Sequence, residues 1–183
     1  MSLDDLLSRL APALERAQAP FMLTGSVASS AHGLPRSTRD LDILIAPTQA
    51  QLIKLIREFP HSVYYADEEQ ALQALVNRSQ FNVIDFVTGW KIDFIIAEDS
   101  EYGRTAMMRR MPVAIAGTTI SVAAPEDVLI AKLRWSQKGG SDRQLEDAAG
   151  IVTTQGNSLD YSYIERWVRE FHLQKQWDVV RKS

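Results

Sequence analysis

Residues 36–46 read RSTRDLDILIA, an apolar run headed by two aspartates. The run predicts a buried strand, and side chains two apart on a strand point to the same side. Asp40 and Asp42 therefore share one side of the sheet, while Leu41 and Ile43 face the core. Two carboxylates this close repel each other, and a divalent cation such as Mg²⁺, which prefers oxygen ligands, would relieve the repulsion. A pair of solvated carboxylates at a strand end is the alternative interpretation.

A third carboxylate favours the metal-site hypothesis. Residues 81–97, FNVIDFVTGWKIDFIIA, contain two strand-like runs about a Thr-Gly turn and predict a hairpin. Asp93 lies between apolar residues of the second run, so it is expected to point away from the core. If this strand lies beside that of Asp42, three carboxylates converge, an arrangement that holds two metal ions for phosphoryl transfer. Asp85 occupies the same kind of position in the first run and is the rival third acid.

Gly25 and Ser26 stand between a predicted strand, residues 21–24, and a predicted helix, residues 26–32. Glycine lets the backbone approach a ligand closely, and the free N–H groups at a helix N-terminus bind phosphate. The hydroxyl of Ser26 would add another donor. The same pair also forms an ordinary helix cap, so that alternative stays open.

These features in this order resemble the nucleotidyltransferase superfamily, which has the polymerase-β-like fold. Its pattern is a hydrophobic strand, Gly-Ser, an acidic pair alternating with hydrophobic residues, and later a third acid between hydrophobic residues. Here the pattern reads LTGS at 23–26, then thirteen residues, then DLDI at 40–43, and IDF at 92–94. The form Arg-x-Thr-x-Asp, with Arg36 and Thr38, is common in small bacterial members. The resemblance covers residues 20–97, and it favours Asp93 over Asp85 because a lysine precedes Asp93 after the turn.

The resemblance implies a mechanism and its partners. Gly25 and Ser26 would hold the β- and γ-phosphates of a nucleoside triphosphate, with Arg36 and Thr38 also at the nucleotide. Asp40 and Asp42 would bind Mg²⁺ (or Mn²⁺), and Asp93 would complete a second metal site and help deprotonate an acceptor hydroxyl. That hydroxyl would attack the α-phosphorus and release pyrophosphate. The acceptor, a small molecule, a tRNA or a protein, is not specified.

Arginines flank the acidic pair on its N-terminal side. Arg36 and Arg39 have the bidentate geometry that suits phosphate, but they also offset the charge of the neighbouring carboxylates. Both interpretations remain open.

A helix predicted to begin at Pro125 carries Lys132 within its broad apolar arc. A lysine in that position either extends past the core to water or meets an anion. The segment 125–133 resembles the lysine helix of abortive-infection-type and toxin-type nucleotidyltransferases, in which the lysine contacts the triphosphate. Residues 142–147, DRQLED, resemble the Arg-and-Asp helix that follows. On a helical wheel Asp147 falls outside the stripe formed by Leu145, Ala149 and Val152, so which acid of 142–147 corresponds stays open.

Composition bounds the protein class. The chain has 183 residues, of which 20 are Lys or Arg and 23 are Asp or Glu, so its formal net charge is −3 and it has no general nucleic-acid footprint. It contains no cysteine, which excludes disulfides, zinc–thiolate sites and thiol catalysis. No apolar run approaches 18 residues, and acids occupy the N-terminal region where a signal peptide is basic. We expect a soluble, cytoplasmic protein without a membrane partner.

The order of predicted elements indicates an α/β (α+β) fold: a mixed β-sheet core flanked by helices, with a C-terminal helical portion. Residues 1–122 would form the nucleotidyltransferase-like core, and 123–183 would pack on it as helices. Residues 100–110 are predicted to form a short helix and 160–181 a charged one. The tryptophans are expected to serve in packing, and the basic residues at 104, 109 and 110 to form a solvated face rather than a nucleic-acid contact.

Two other functions compete with transfer. One is a catalytically weak nucleotide-binding or interaction module on the same fold, for example a toxin–antitoxin component that binds an antitoxin or forms a homo-oligomer. The other is a different metal-dependent phosphoryl enzyme, such as a nuclease. Three converging acids argue against the first, and the Gly-Ser turn argues against the second.

Overall fold

The computed structural model describes residues 3–182, and its elements follow the predicted order closely. The helices are α1 (Leu3–Ala17), α2 (Gly25–His32), α3 (Gln49–Arg57), α4 (Glu68–Asn77), α5 (Glu101–Arg109), α6 (Pro125–Gly139), α7 (Asp142–Gln155), α8 (Tyr161–Glu170) and α9 (Gln174–Val180). The strands are β1 (Phe21–Thr24), β2 (Asp40–Ile45), β3 (Tyr64–Tyr65), β4 (Gln80–Asp85), β5 (Lys91–Ile96), β6 (Met111–Ile115) and β7 (Thr118–Val122).

Two details differ from the predicted elements. The two-residue strand β3 is too short to leave an alternating pattern in the sequence, and it exists because it pairs with β4. The single helical segment expected over 160–181 is two helices, because the chain turns between them with His172 in the left-handed region at φ 55°.

The strands within residues 3–182 form one mixed sheet in the order β3-β4-β5-β2-β1-β7-β6. β2 runs parallel to β5, whereas β1 is antiparallel to β2 and β4 is antiparallel to β5. The fold is therefore α/β, as the sequence predicts. The parallel pairing of β2 with β5 brings the acidic strand beside the second strand of the predicted hairpin.

Alternation along the central strands gives the sheet two different faces. On one face Leu41, Ile43, Ile92 and Phe94 are fully buried. Residues of α1 and Ile92 line the same pocket on this side of the sheet. The centre of the Phe94 ring lies 5.9 Å from that of the Phe59 ring. The other face carries the polar residues at the beginnings of β2 and β5, so burial of one face determines where the acids point.

Local signals explain where several helices begin. Thr48 and Gln51 form a capping box at α3, and Asp67, Ser100 and Asp160 each accept a backbone hydrogen bond at the start of α4, α5 and α8. Pro125 begins α6, as predicted.

The C-terminal helices join the apolar cluster of the sheet rather than forming a separate one. Trp167 and Trp177 are buried there, which confirms the packing role expected for them. For Trp135 that expectation is wrong, because its side chain is 54% exposed.

The basic residues expected on a solvated face divide into two kinds. Arg104 is exposed and pairs with Asp99 at 2.6 Å. Arg109 instead binds Glu126 at 2.7 Å and Asp127 at 3.2 Å and lies 4.0 Å from the centre of the Tyr163 ring. Arg109 therefore joins α5 to α6 and α8.

Within residues 3–182 there is no helix with the length and apolar character needed to cross a bilayer.

Candidate active site

A polar row crosses four neighbouring strands of the sheet. Register pairs Thr24 with Asp42, Asp42 with Asp93, and Asp93 with Asn82. Adjacent strands lie about 4.8 Å apart, so these side chains stand next to one another on one face. Asp40 lies on the same face, one step nearer the start of β2. The structure thus brings Asp40, Asp42 and Asp93 to one place.

Asp85, the rival third acid, lies elsewhere. It is fully buried at the end of β4, where it forms an ion pair of 2.5 Å with Arg9 of α1. It also accepts hydrogen bonds from the backbone N–H groups of Val87, at 2.9 Å, and Thr88, at 3.3 Å. Burial acts to raise the pKa of Asp85, but the hydrogen bond from Arg9, with those in the turn, outweighs burial and holds the pKa below its usual value. Asp85 closes the hairpin and anchors α1.

Gly25 and Asp42 fit together so closely that no other residue type suits the glycine position. Gly25 has φ +62°, and a Cβ placed on it would lie 1.9 Å from a carboxylate oxygen of Asp42. The backbone N–H of Ser26 also faces that carboxylate and acts to lower its pKa. The turn predicted to bind phosphate is therefore built around the second aspartate of β2.

The electrostatics of Asp42 are those of a carboxylate that lacks a full counter-charge. Burial raises its pKa, and the neighbouring charges of Asp93 and Asp40 raise it further. The Ser26 N–H and the charge of Lys132 oppose this, but the net pKa is still above the usual value. A cation placed among these carboxylates would stabilise the ionised form.

The donor set agrees with a divalent cation in chemistry and register, but it is not preassembled. Across residues 3–182, no group of three or more His, Asp or Glu side chains is gathered so that it could hold a metal ion. One reason is that Asp93 forms an ion pair of 2.8 Å with Lys91, whose pKa is raised mainly by that hydrogen bond. Another is that Asp40 points into solvent. Lys91 would therefore compete with a metal ion for Asp93.

A cationic group lies next to the Gly-Ser turn. Lys132 is only 3% exposed, and its Nζ lies 2.6 Å from one carboxylate oxygen of Asp147. The Nε of Arg36 lies 3.3 Å from the other oxygen, and the same guanidinium donates to the hydroxyl of Ser26. The alternative in which Lys132 extends past the core to water is therefore wrong. We call Ser26, Arg36, Asp147 and Lys132 the α2–α7 network.

The network also identifies which acid of 142–147 reaches the site, since Asp142 and Glu146 are exposed and Asp147 is not. The apolar stripe expected for α7, formed by Leu145, Ala149 and Val152, is only partly buried and does not mark the centre of the buried side. The helix buries Ala148 and Ile151 most deeply, and Gly150 packs against Leu34. Asp147 is on this side of the helix, one turn before Ile151.

Thr38 contacts the acidic strand rather than the Gly-Ser turn. Its hydroxyl accepts from the backbone N–H of Asp40 at 3.1 Å and lies 3.2 Å from the carbonyl of the same residue. Thr38 therefore fixes the backbone where β2 begins. A contact between Thr38 and nucleotide stays a prediction.

Two features of the acidic face were not predicted from the sequence. One is the presence of Asn82, and the other is the ion pair that Lys91 forms with Asp93. Asn82 stands between the buried Phe81 and Val83, so alternation in β4 was a signal that it shares the outward face. Its register neighbour Asp93 could not be known without the strand pairing.

No family model and no curated protein matches this sequence. Solved structures do. A crystal structure of ANT(2″)-Ia in complex with adenylyl-2″-tobramycin superposes with a TM-score of 0.59 at 11% identity, over 96% of this chain and 99% of that one. An antigenic nucleotidyltransferase-like protein from Paracoccidioides brasiliensis superposes with a TM-score of 0.58 at 15% identity, over 98% and 92%.

A solution structure of ANT(2″)-Ia, described as an antibiotic-resistance factor, superposes with a TM-score of 0.54 at 12% identity, over 94% of this chain and 96% of that one. The likeness extends over nearly the whole chain in each case, including the C-terminal helices. Together with the sheet order and the acidic row beside Gly25, these superpositions show that the chain has the nucleotidyltransferase fold.

Proposed function

We propose that this protein transfers a nucleoside monophosphate from a nucleoside triphosphate to an acceptor hydroxyl and releases pyrophosphate. One observation carries the proposal: Asp42 lies against Gly25 and the Ser26 N–H while standing beside Asp93 in register. The acids assigned to metal and the turn assigned to phosphate would thus adjoin each other, as a transferase acting on a triphosphate needs. Similarity to solved nucleotidyltransferases supports the same function.

The triphosphate would lie at the start of α2. Thr24, the residue that caps this helix, makes no side-chain cap hydrogen bond, so its side chain does not occupy the first-turn N–H groups to which phosphate oxygens would bind. Lys132 and Arg36 supply positive charge at this end, and both are held by Asp147. Phosphate would compete with Asp147 and with Ser26 for these cations. The paired arrangement keeps buried charges satisfied before the nucleotide binds.

Asp40, Asp42 and Asp93 would hold Mg²⁺ or Mn²⁺. When bound, such ions neutralise phosphate charge and orient the reacting oxygens for in-line displacement. The register of Asp42 with Asp93 and the repulsion that raises the pKa of Asp42 support this assignment.

The acceptor hydroxyl would approach Asp93, which takes up its proton. The acceptor oxygen then bonds to the α-phosphorus as the bond from that phosphorus to the departing pyrophosphate breaks. The protein's own contribution is position and charge: Ser26 and the α2 N-terminus hold one side of the donor while Asp93 orients the acceptor.

A catalytically weak nucleotide-binding module is the second candidate. It is favoured by the Lys91–Asp93 ion pair, which occupies the third acid. Association with an antitoxin-like protein or with a second copy belongs to this candidate.

Thermal unfolding with ATP, CTP, GTP or UTP, each with Mg²⁺ or Mn²⁺, tests the proposal. A nucleotide at 100 times its dissociation constant adds about 2.7 kcal/mol, or about 5–10 °C for a chain of this size. We expect one nucleotide to give this rise only with metal, and we expect Asp42→Asn to abolish it.

Asp99→Asn is the matched control, because Asp99 is an exposed carboxylate paired with Arg104. It should keep the full rise. A rise that is metal-independent and survives Asp42→Asn would favour the binding module, and no rise with any nucleotide would overturn the proposal.

A further inference from the structure

A cavity of about 400 Å³ lies on the acidic face of the sheet, between the strands and helices α5 and α6. Its floor is a row of side chains next to the polar row. Register pairs Met22 with Leu44, Leu44 with Ile95, and Ile95 with Gln80, and all four line the cavity. Each is two residues from a member of the polar row, a distance of about 6.6 Å along a strand. The cavity therefore opens beside Asp42 and Asp93.

The cavity spans the sheet from β1 to β4, and none of the four residues of the α2–α7 network lines it. Its lining extends over β5 to Arg78, Ser79 and Gln80, at the start of β4. Helix α6 separates the two regions. Ala131 and Trp135 line the cavity, whereas Lys132 points to Asp147 of α7. A triphosphate held by the network leaves the cavity free for the molecule whose hydroxyl must reach Asp93.

The surfaces of the cavity are mainly apolar. Met22, Leu44 and Ile95 form the floor and Ala106 part of a wall. Trp135, with 54% of its surface exposed, presents an indole with no packing role in the core. Such a lining is complementary to a flat, apolar ring system.

The charges around the cavity do not favour a polycation. Both carboxylates among the described lining residues already have partners. Arg134 binds Glu98 at 3.1 and 3.2 Å, and Asp127 is bound by Arg109 at 3.2 Å and by the Tyr163 hydroxyl at 2.7 Å.

The lining also carries basic side chains. Arg78 donates to the carbonyl of Ala97 at 3.1 Å, so its charge is not neutralised by that contact. Lys138 lies 5.6 Å from the centre of the Trp135 ring. These cations would repel an acceptor that carries several ammonium groups and would attract an anionic one.

We propose that this cavity binds the acceptor, and that the acceptor is a flat, largely apolar hydroxyl compound, neutral or anionic, rather than a polyamine. The inference rests on the proposed transferase function and specifies its second substrate. The apolar ring lies over Leu44 and Ile95 and against Trp135, and its hydroxyl extends one row to Asp93.

The experiment uses 2-naphthol as the flat hydroxyl probe and tobramycin as the polyamine probe. Each is titrated calorimetrically into the full chain, with and without the nucleotide that stabilises it. We expect 2-naphthol to bind at least tenfold more tightly than tobramycin. Its affinity should be equal or higher when nucleotide and metal are present. Ala131→Trp, which fills the cavity from α6, should weaken 2-naphthol binding at least tenfold and leave nucleotide affinity unchanged.

Ala50→Trp is the matched control, since Ala50 is an exposed alanine of α3. It should change neither affinity, which separates filling of the cavity from a general effect of the added indole.

Three outcomes would overturn the inference while nucleotide binding persists. The first is that 2-naphthol does not bind. The second is that tobramycin binds more tightly than 2-naphthol and loses that binding in Ala131→Trp. The third is that nucleotide displaces 2-naphthol, which would assign the cavity to the base of the donor nucleotide. Binding of 2-naphthol without binding of any nucleotide would instead overturn the proposed function, and the acceptor role with it.

Discussion

Asp42 and Asp85 both lie in strands with apolar neighbours, yet they have opposite surroundings. Asp85 is fully buried and satisfied by Arg9 and two backbone N–H groups, so its pKa is lowered. Asp42 is partly buried beside other carboxylates, so its pKa is raised. The Asp85 charge is matched by a cation, whereas that of Asp42 stays unbalanced, and unbalanced charge of this kind is more common at functional sites.

Removal of the Asp42 charge should have the largest effect on transfer. Asp42→Asn takes away a ligand oxygen charge at the centre of the acidic row, and we expect activity to fall about 10³-fold, or about 4 kcal/mol. The free energy of unfolding should stay the same or rise, because a repulsion disappears. Turnover with the stabilising nucleotide and urea unfolding measure the two effects. Near-normal turnover would contradict the assignment of the site.

Gly25→Ala should disturb the site from the glycine side. The new Cβ would need the space of the Asp42 carboxylate, so we expect activity to fall about 10²-fold, or about 2.7 kcal/mol. Gly89→Ala is the matched control, because Gly89 also has positive φ, +71°, but nothing lies within 4 Å of its added Cβ. It should cost only about 1 kcal/mol of stability. Equal activity in the two variants would contradict the close fit of Gly25 with Asp42.

Loss of the Arg9 counter-charge should destabilise the fold and spare the site. Arg9→Met leaves Asp85 buried without its cation, and we expect the free energy of unfolding to fall by about 2–3 kcal/mol at pH 7, less than for a fully buried pair because Arg9 is partly exposed. Arg16→Met on the same helix breaks an exposed pair with Glu58, and it should lower the free energy of unfolding far less than Arg9→Met does.

The effect of Arg9→Met should depend on pH with a definite sign. Because the folded-state pKa of Asp85 lies below its unfolded value near 3.8, the stabilisation is present above that pH and is lost as pH falls through the folded pKa. The difference in stability between the wild type and Arg9→Met should therefore shrink as pH falls below 3.8. Urea unfolding at pH 7 and pH 3 measures this, and a difference that does not shrink in acid would contradict the pairing.

Lys91→Gln should give the smallest effect. It releases Asp93 from a partly exposed ion pair, so we expect Mn²⁺ affinity to rise about 3–5-fold, or about 1 kcal/mol. Lys54→Gln changes an exposed lysine of α3 and should leave the affinity as it is. Calorimetric titration compares them. An unchanged affinity for Lys91→Gln would show that Lys91 does not compete with the metal.

Much of the fold could be predicted because its signals are local. The alternation of DLDILI identified both the strand and its outward acids, and Pro125 marked the start of α6. Strand β3 could not be predicted, because two residues are too few to show the alternation of apolar and polar side chains that marks a strand. The helical wheel for α7 failed because the neighbours of that helix, among them Leu34, determine which side is buried.

Residue order alone was enough to identify the acidic pair, the Gly-Ser turn and the α/β class, because strand alternation and helix caps depend on neighbours in the chain. Strand alternation did not distinguish Asp93 from Asp85, since both lie in strands of the same hairpin, and only the family resemblance favoured Asp93. Packing distinguished them: β5 pairs with β2, and Arg9 of α1 reaches Asp85. The role of Asp147 and the apolar cavity beside Asp93 likewise depend on how distant segments pack, because their charges and surfaces acquire partners only after the helices dock on the sheet.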